Sequence, residues 1–262
     1  MAHSSKFIPG STAEVLFCDF DGPIVNVADR YYHTYRLGLR MLSATSPSGQ
    51  AQETPEQAGE QMLTLTPLSQ AQFWHMKQNR VCDRTIATQS GVPAAQIDDY
   101  LQRVCRIVNH PHLLRWDRLQ VGADAALAQL KRSGLRVVLV TLRHPRQVQS
   151  FLQAHDLSQY IDQIFGALDP GAAHANRADQ KVSLLKQAIA EQTALGYSTQ
   201  QTWMIGDTEA DILAGQAAGI STMALTCGVR SHSYLENFSP TQLQPNLLSA
   251  VSQVRQPLLQ AA

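Results

Sequence analysis

Two acidic residues near the start of the chain have the spacing to do chemistry together. Asp19 and Asp21 follow an apolar run that begins at Val15, and Gly22, which lets the backbone turn sharply, comes directly after them. Because side chains alternate along a strand, carboxylates two residues apart would point the same way if the strand continued. Like charges that close repel, and one of them tends to keep its proton unless a cation neutralises it. The alternative is a strand that runs into an ordinary Asp-rich turn, so the weight of this pair depends on residues further along the chain.

Three later parts of the chain offer complementary groups. Asp207 and Asp211 follow an apolar run that ends in glycine, and Thr141 ends another apolar run, where its hydroxyl can donate to a phosphoryl oxygen. Lys181 lies at the start of a predicted helix, where a cation opposes the helix dipole and therefore needs another explanation. Asp211 also has a structural explanation, because Thr208 and Asp211 together fit a capping box.

Several carboxylates gathered at one point would repel strongly without a cation. A hard ion with oxygen ligands, such as Mg²⁺, resolves that repulsion while sharing its ligand shell with a phosphate. Asp19 is then free to attack phosphorus and form an aspartyl-phosphate. Asp21 can protonate the leaving oxygen and afterwards deprotonate the hydrolytic water. Lys181 and Thr141, together with the metal, would spread the charge on the transferring group.

The elements that must position these groups alternate between strand and helix from Trp116 onward. This alternation predicts an α/β fold with an open, mostly parallel sheet and helices on both faces. In such sheets ligands bind outside the carboxyl ends of the strands, where the strand order reverses. After the first strand, the predicted strands are 136–141, 164–168, 202–205 and 221–225. The predicted helices are 123–132, a helix from Pro145, 180–194, 209–218 and a final helix from Pro240.

Between the first strand and Trp116 the pattern is helical throughout. Residues 28–42 have the apolar spacing of an amphipathic helix, and Pro67 and Pro93 each occupy a first helical position. The intervening residues 43–61 are rich in Ser, Thr, Pro, Gly and Gln, which predicts a loop. The sequence therefore predicts a helical insert over residues 27–115, within a core formed by residues 1–26 and 116–262.

This set of motifs resembles the haloacid dehalogenase superfamily, whose members are largely magnesium-dependent phosphatases. The resemblance implies a Rossmann-like doubly wound core, and the helical insert looks like the family's mobile cap, which closes over the site. It also implies that Asp19 is the nucleophile and Asp21 the general acid/base. Asp19, the backbone carbonyl of Asp21 and Asp207 would hold Mg²⁺, with Asp211 supporting it directly or through water. The residues that carry the resemblance are Asp19-Phe20-Asp21-Gly22, Thr141, Lys181 and Gly206-Asp207-Thr208-Glu209-Ala210-Asp211.

Four residues are candidates for binding the substrate itself. Helical spacing would put Lys77 and Arg80 on one face, where they would grip the non-reacting end of a small phosphorylated metabolite. A solvated helix face is the alternative explanation for this pair. Gly22 and Arg143 lie beside the acids and Thr141 in sequence, and Arg143 is either a substrate contact or an exposed side chain.

Composition excludes several other classes of function. Among the 262 residues, Lys plus Arg and Asp plus Glu both number 21, so the formal net charge is zero and gives no nucleic-acid footprint. No apolar stretch approaches the length that spans a bilayer, and the first apolar run is interrupted by acids, unlike a signal peptide. We therefore expect a cytoplasmic protein, monomeric or homodimeric, with neither a nucleic-acid nor a membrane partner.

The sequence favours a magnesium-dependent hydrolase of a small phosphomonoester that acts through phosphorylated Asp19. A phosphomutase or phosphonate hydrolase of the same superfamily is the nearest alternative, and it would need a dedicated group in the insert, for which Lys77 is a candidate. A catalytically silent member that binds a phosphorylated metabolite or a protein is the alternative from another class. The intact set of acids argues against that, because binding alone would not require Asp21.

Overall fold

The computed structural model of the protein describes residues 13–44, 65–169 and 171–254. Within these ranges the strands are β1 (Val15–Cys18), β2 (Val25–Asn26), β3 (Arg118–Leu119), β4 (Arg136–Thr141), β5 (Gln163–Gly166), β6 (Trp203–Gly206), β7 (Ser221–Leu225) and β8 (Gln242–Gln244). The helices are α1 (Ala28–Ala44), α2 (Gln70–Gln78), α3 (Asp83–Gln89), α4 (Ile97–Ile107), α5 (Pro111–Leu114), α6 (Ala123–Arg132), α7 (Pro145–Ala154), α8 (Ala172–Ala175), α9 (Ala178–Ala194), α10 (Glu209–Ala217), α11 (His232–Glu236) and α12 (Leu247–Val254).

Six of these strands form one parallel sheet in the order β5-β4-β1-β6-β7-β8. The chain moves outward from β1 through β4 to β5 and then returns to the other side of β1 at β6, so the order reverses beside β1. Cys18, the last residue of β1, pairs with Leu139 of β4 and Ile205 of β6. The predicted doubly wound α/β fold is confirmed, and the carboxyl ends of β1, β4 and β6 lie side by side.

The sheet is covered on both faces, which explains why its strands read as continuous apolar runs. In β1, Leu16 and Cys18 belong to one hydrophobic cluster, whereas Val15 and Phe17 belong to another. The first cluster includes side chains of α6, α7 and α12, and the second includes side chains of α9 and α10. Alternation along a single strand thus gives each face of the sheet its own core.

The helices α1–α4 pack around a separate apolar cluster that includes Tyr35, Phe73, Ile86 and Tyr100. A short antiparallel ribbon of β2 and β3 lies where the chain leaves and rejoins the rest of the protein. No pattern in the sequence indicates this ribbon, because strands of two residues are too short for a periodic pattern. The loop predicted over residues 43–61 lies, from residue 45 onward, outside the described residues.

Two predicted helix starts in the insert differ from the structure. The helix expected from Pro67 begins at Gln70, because the Ser69 side chain accepts a hydrogen bond from the backbone N–H of Gln72 and caps it. Leu68 precedes the helix, and its N–H donates to the Tyr35 hydroxyl at 2.7 Å. The helix expected from Pro93 starts with a 3₁₀ turn and becomes α-helical only from Ile97.

The prediction of one continuous helix from Pro240 was wrong. Residues Gln242–Gln244 form the edge strand β8, in which Leu243 pairs with Ala224, and the helix α12 begins only at Leu247. Leu243 and Leu247 have a spacing that suits a helix, and only the neighbouring strand decides between the two structures. Among the described helices, none has the length and apolar character needed to cross a membrane.

Candidate active site

Three aspartates meet where β1 and β6 end. Asp19 directly follows β1, Asp207 directly follows β6, and Asp211 lies in the first turn of α10. Each offers a carboxylate oxygen, these oxygens lie within 4.8 Å of one another, and all three residues are buried. We refer to Asp19, Asp207 and Asp211 as the acid cluster.

Glycines make this convergence possible. Gly22 has a φ of +90°, and a Cβ atom added there would lie 2.0 Å from Cγ of Asp207. A Cβ atom on Gly206 would lie 2.1 Å from Cγ of Asp211. Gly22 donates its backbone N–H to the carbonyl of Val25 at 2.8 Å, so that N–H is occupied within the turn. In this structure Gly22 therefore gives Asp207 room, and it does not line the cavity described below.

Lys181 lies between two members of the acid cluster. Its Nζ is 2.9 Å from Oδ1 of Asp19 and 2.7 Å from Oδ1 of Asp211, and its side chain is buried. Burial acts to lower the pKa of Lys181, but the two carboxylates outweigh it and the pKa lies above its usual value. Lys181 therefore remains a fixed positive charge at this point.

One lysine does not balance three buried carboxylates. Burial raises the pKa of Asp19 against the opposing effect of Lys181, and with Asp211 also raising it the value is about 7. Burial, followed by the charges of Asp211 and Asp19, raises the pKa of Asp207 well above its usual value. Oδ2 of Asp207 accepts the N–H of Val229 at 2.5 Å, whereas its buried Oδ1 has no hydrogen-bond partner among the described residues. A hard, oxygen-ligated cation would neutralise the carboxylates of Asp19 and Asp207 and give Oδ1 of Asp207 a partner. These residues therefore fit Mg²⁺.

Asp21 lies outside the acid cluster and is held by two arginines. Its Oδ2 accepts from Nη2 of Arg30 at 3.1 Å and from Nε and Nη2 of Arg143 at 3.2 and 3.0 Å. Asp117 joins the same arginines from the other side, 2.8 Å from Nε of Arg30 and 2.6 Å from Nη1 of Arg143. We call Asp21, Arg30, Asp117 and Arg143 the arginine network.

Thr141 ends β4 and is almost completely buried at the edge of the cavity. Its Oγ1 accepts the N–H of Arg143 at 3.2 Å, which leaves the hydroxyl proton for another acceptor. The helix α7 begins close by, but its cap is the side chain of His144, which accepts from the N–H of Arg146. The first turn of α7 does not line the cavity, so Thr141 is the donor that β4 brings to it.

A cavity extends from these groups to the helical insert. Asp19, Asp21, Thr141 and Asp207 line one side, and the other side includes cationic groups. Those cationic residues and their acidic partners are Lys77 with Asp83 (2.7 Å), Arg80 with Glu209 (3.0 Å) and Arg230 with Glu209 (2.8 Å). The predicted substrate-binding residues Lys77 and Arg80 are thus brought to the same cavity as Asp19 and Asp21.

The insert contacts the rest of the protein beside this cavity. The end of α2 and the turn after it contact residues 228–231: the N–H of Ser231 donates to the carbonyl of Gln78 at 2.9 Å, and Nη1 of Arg230 donates to the carbonyl of Lys77 at 3.2 Å. Arg80, at the end of this turn, has a φ of +57°. These contacts link the cationic side of the cavity to the loop that also binds Asp207 through Val229.

Comparison with known proteins agrees with this arrangement. A sequence model described as haloacid dehalogenase-like hydrolase matches residues 15–225. The chain belongs to this family. A haloacid dehalogenase-like family hydrolase from Streptococcus pneumoniae has the same fold, with a TM-score of 0.63 and 18% identity over 92% of this chain and 98% of that one. The resemblance drawn from the sequence motifs is confirmed at the level of the family.

Curated relatives of this haloacid dehalogenase-like hydrolase carry phosphatase names. A pyrophosphatase PpaX from Halalkalibacterium halodurans is 26% identical over 146 residues, which are 55% of this chain and 64% of that protein. A phosphoglycolate phosphatase from Psychrobacter arcticus is 29% identical over 121 residues, or 46% of this chain and 49% of that protein. The matched regions thus span about half of one relative and just under two thirds of the other.

The sequence interpretation of this family member missed several residues at the site. Arg30 and Asp117 were not recognised, although Arg30 follows the Asp21 turn by only nine positions. Glu209 lies in the motif that contains Asp207 and Asp211, and a third acidic residue so close to them was a signal that it has a partner. Arg230 had no signal in the sequence, because its importance depends on contacts with Glu209 and the insert.

Proposed function

We propose that the protein is a Mg²⁺-dependent phosphatase that hydrolyses a small phosphomonoester through phosphorylated Asp19. The observation that carries this proposal is the acid cluster, in which buried carboxylates exceed the positive charge of Lys181. Mg²⁺ held by Asp19, the backbone carbonyl of Asp21 and Asp207, with Asp211 in support, would supply positive charge to the phosphoryl oxygens. Helices α1–α5 would act as the cap that closes over the substrate.

Asp19 is suited to act as the nucleophile. Its Oδ1 is occupied by the N–H of Phe20 at 2.7 Å and by Lys181, and within the described part of the chain nothing hydrogen-bonds to Oδ2. Oδ2 attacks phosphorus, the bond from phosphorus to the ester oxygen breaks, and Asp21 donates a proton to that oxygen. Asp21 then takes a proton from water, which attacks phosphorus and frees Asp19 and inorganic phosphate.

Two further side chains stabilise the charge that builds up during transfer. Lys181 is fixed by Asp19 and Asp211, so its ammonium group needs no reorganisation as the reaction proceeds. The free hydroxyl proton of Thr141 is available to a phosphoryl oxygen from the neighbouring strand end. Because both residues are almost fully buried, their interactions act in a medium of low dielectric constant, where they are stronger than in water.

The cationic side of the cavity supports a substrate that carries a second anionic group. Lys77, Arg80 and Arg230 share the carboxylates of Asp83 and Glu209, which leaves one positive charge in excess. His174, also in the cavity wall, is neutral at pH 7, because burial and then the charge of Lys77 lower its pKa to about 4. The relatives' names refer to pyrophosphate and phosphoglycolate, which each carry an anion beyond the transferred phosphate. A carboxylate or a second phosphate would therefore complete this charge balance.

A phosphonate hydrolase would require an uncharged amine at Lys77. The pKa of Lys77 lies below its usual value, because burial outweighs the opposing effect of Asp83. The 2.7 Å contact between Nζ of Lys77 and Asp83 favours the ammonium form. An ammonium group binds an anion but has no lone pair with which to act as a nucleophile. We therefore assign Lys77 to substrate binding.

The first test is phosphate release from an aryl phosphate, measured with Mg²⁺ and with a chelator, for wild type and Asp19→Asn. We expect Mg²⁺-dependent turnover in wild type and none in Asp19→Asn, because the amide has nearly the same shape but lacks the nucleophilic charge. Asp124→Asn, an exposed aspartate in the first turn of α6, is the matched control and should keep full activity.

Turnover that survives in Asp19→Asn would reject the nucleophile assignment. If wild type releases no phosphate from aryl phosphates, the same assay is run on pyrophosphate and on phosphate esters that carry a carboxylate. No turnover on any of them, despite Mg²⁺-dependent thermal stabilisation, would favour a silent phosphometabolite-binding protein.

A further inference from the structure

The arginine network is among the most deeply buried charged groups of the described chain. Arg30 is 1% exposed, Arg143 is 2% exposed and Asp117 is 5% exposed. With Asp21 the network holds two cations and two anions, so its formal charge is zero. Burying four charges costs several kcal/mol per ion, and well-packed apolar side chains in their place are often at least as stable. A role other than stability is therefore to be sought for these residues.

The contacts on Asp21 are directional. Arg30 and Arg143 both donate to Oδ2, whereas Oδ1 has no hydrogen-bond donor of good geometry in the described ranges, although Nη2 of Arg143 is 2.8 Å away. Three N–H donors from the two arginines converge on Oδ2 and, with Nη2 of Arg143 close to Oδ1, fix the rotation of the carboxylate. The carboxylate is held in this way at the wall of the cavity that Asp19 and Thr141 also line.

Asp117 holds the guanidinium groups of both arginines in position. Its Oδ1 accepts from Nε of Arg30 and its Oδ2 from Nη1 of Arg143, so each carboxylate oxygen orients one guanidinium group. Because a guanidinium group is planar and rigid, fixing one edge fixes where the other edge points. In Arg143 the remaining donors, Nε and Nη2, point to Asp21, and in Arg30 Nη2 does so.

We propose that Arg30, Asp117 and Arg143 are positioning residues that orient the Asp21 carboxylate for its part in the reaction. This inference rests on the proposed function, in which Asp21 is the general acid/base. Asp117 does not touch the substrate in this scheme; it acts through the two arginines. Misplacement of an acid by about 1 Å is enough to cost up to about 100-fold in rate, so such a support has a measurable effect.

The arginine network also connects Asp21 to residues of the helical insert. Arg30 lies in the first turns of α1 and donates to Oδ1 of Asn109 at 2.7 Å and to the carbonyl of Val108 at 3.3 Å, just after α4. Arg143 follows β4, and Asp117 directly precedes β3. Three separate parts of the chain must therefore be in place before Asp21 is held.

A purely structural role, joining the insert to the sheet, is the alternative, and leaving groups of different acidity separate the two. A poor leaving group needs a proton from Asp21, whereas a good one, such as p-nitrophenolate, departs without it. The test is kcat/KM of wild type and Asp117→Asn on ring-substituted phenyl phosphates of similar size. We expect Asp117→Asn to lose about tenfold or more on phenyl phosphate and less than about threefold on p-nitrophenyl phosphate.

Asp162→Asn is the matched control. Asp162 also pairs with an arginine, Arg136, at 3.5 Å, but at the opposite end of β4 from Thr141. We expect no dependence on the leaving group in this variant. Arg30→Lys, which keeps the charge but loses the fork, should show the pattern of Asp117→Asn more weakly, and it serves if Asp117→Asn does not fold.

An equal loss on all leaving groups, or no loss in a folded Asp117→Asn protein, would overturn the inference. Asp21→Asn tests the acid role of Asp21 separately from its positioning. If the loss in this variant does not depend on the leaving group, Asp21 is not the general acid. A crystal structure of Asp117→Asn gives a readout that needs no turnover. Displacement of the Asp21 carboxylate from its wild-type position is expected, and an unmoved carboxylate would reject the positioning role.

Discussion

The acid cluster and the arginine network contain aspartates only two positions apart in the chain, yet their charges are balanced differently. The acid cluster around Asp19 has three buried carboxylates and one paired ammonium group, Lys181. The network around Asp21 has two carboxylates and two guanidinium groups. The cluster is therefore electrostatically incomplete without a ligand, whereas the network is complete within the protein.

This difference separates two kinds of buried charge. In the cluster the pKa values of Asp19 and Asp207 are raised, so its stability depends on pH and on cations. In the network every charge has an opposite partner within 3.2 Å, so its effect is to fix geometry. In the proposed function, the charge imbalance marks where a cation and an anionic substrate would bind, and the balanced network is what would hold Asp21 in place.

The largest effect is expected from removing the positive charge beside the acid cluster. Lys181→Met removes the cation between Asp19 and Asp211, so turnover should fall by about 10²–10³-fold. The same change should lower the free energy of unfolding by about 3–5 kcal/mol, because it leaves buried carboxylates uncompensated. Phosphate release and chemical denaturation measure the two effects. Lys186→Met, an exposed lysine of the same helix α9, is the control, and an equal loss there would contradict the assignment.

A second, smaller effect distinguishes the two regions by pH. Asp19 has a pKa of about 7 in the folded protein against 3.8 in the unfolded chain, so the stability it contributes is present below 3.8 and is lost as the pH rises through 7. With chelator at pH 8, Asp19→Asn should therefore be more stable than wild type by about 2–4 kcal/mol. This difference should shrink as the pH falls towards 5.

Chemical denaturation at several pH values, with and without Mg²⁺, measures this contrast. Mg²⁺ should stabilise wild type more than Asp19→Asn, because the variant lacks one anionic ligand. Asp117→Asn provides the comparison from the network, where the loss of stability should be the same with and without Mg²⁺. A stability difference between Asp19→Asn and wild type that ignores pH would contradict the proposed imbalance.

The smallest effect is expected at the cationic side of the cavity. Arg80→Ala removes a half-exposed partner of Glu209, so KM should rise about fivefold for phosphate esters with a second anionic group while kcat stays unchanged. Aryl phosphates without such a group should be unaffected. Arg84→Ala, an exposed arginine of the insert that pairs with Asp98, is the matched control. A change in kcat alone would argue against substrate binding by Arg80.

The sequence predicted the sheet and the acid cluster well, because both depend on local patterns. Apolar runs ending in Asp19, Thr141 and Gly206 identified three strands, and the carboxyl ends of neighbouring parallel strands must meet. Local patterns did not predict the structure of segments whose residues suit a helix and a strand equally well. Leu243 is an example, since its spacing fits a helix and only pairing with Ala224 makes it part of a strand.

The sequence by itself determined which groups we propose for the chemistry, namely Asp19, Asp21, Lys181 and Asp207, because residue type and position at the end of a strand or the start of a helix are local properties. Tertiary structure alone decided what surrounds them. Arg30 lies 87 positions from Asp117, and their contact exists only after the insert has packed against the core. Arg143 lies 122 positions from Asp21, and their contact exists only after β1 and β4 have paired. No spacing rule reaches across such distances, because the positions of the partners are set by the packing of whole elements.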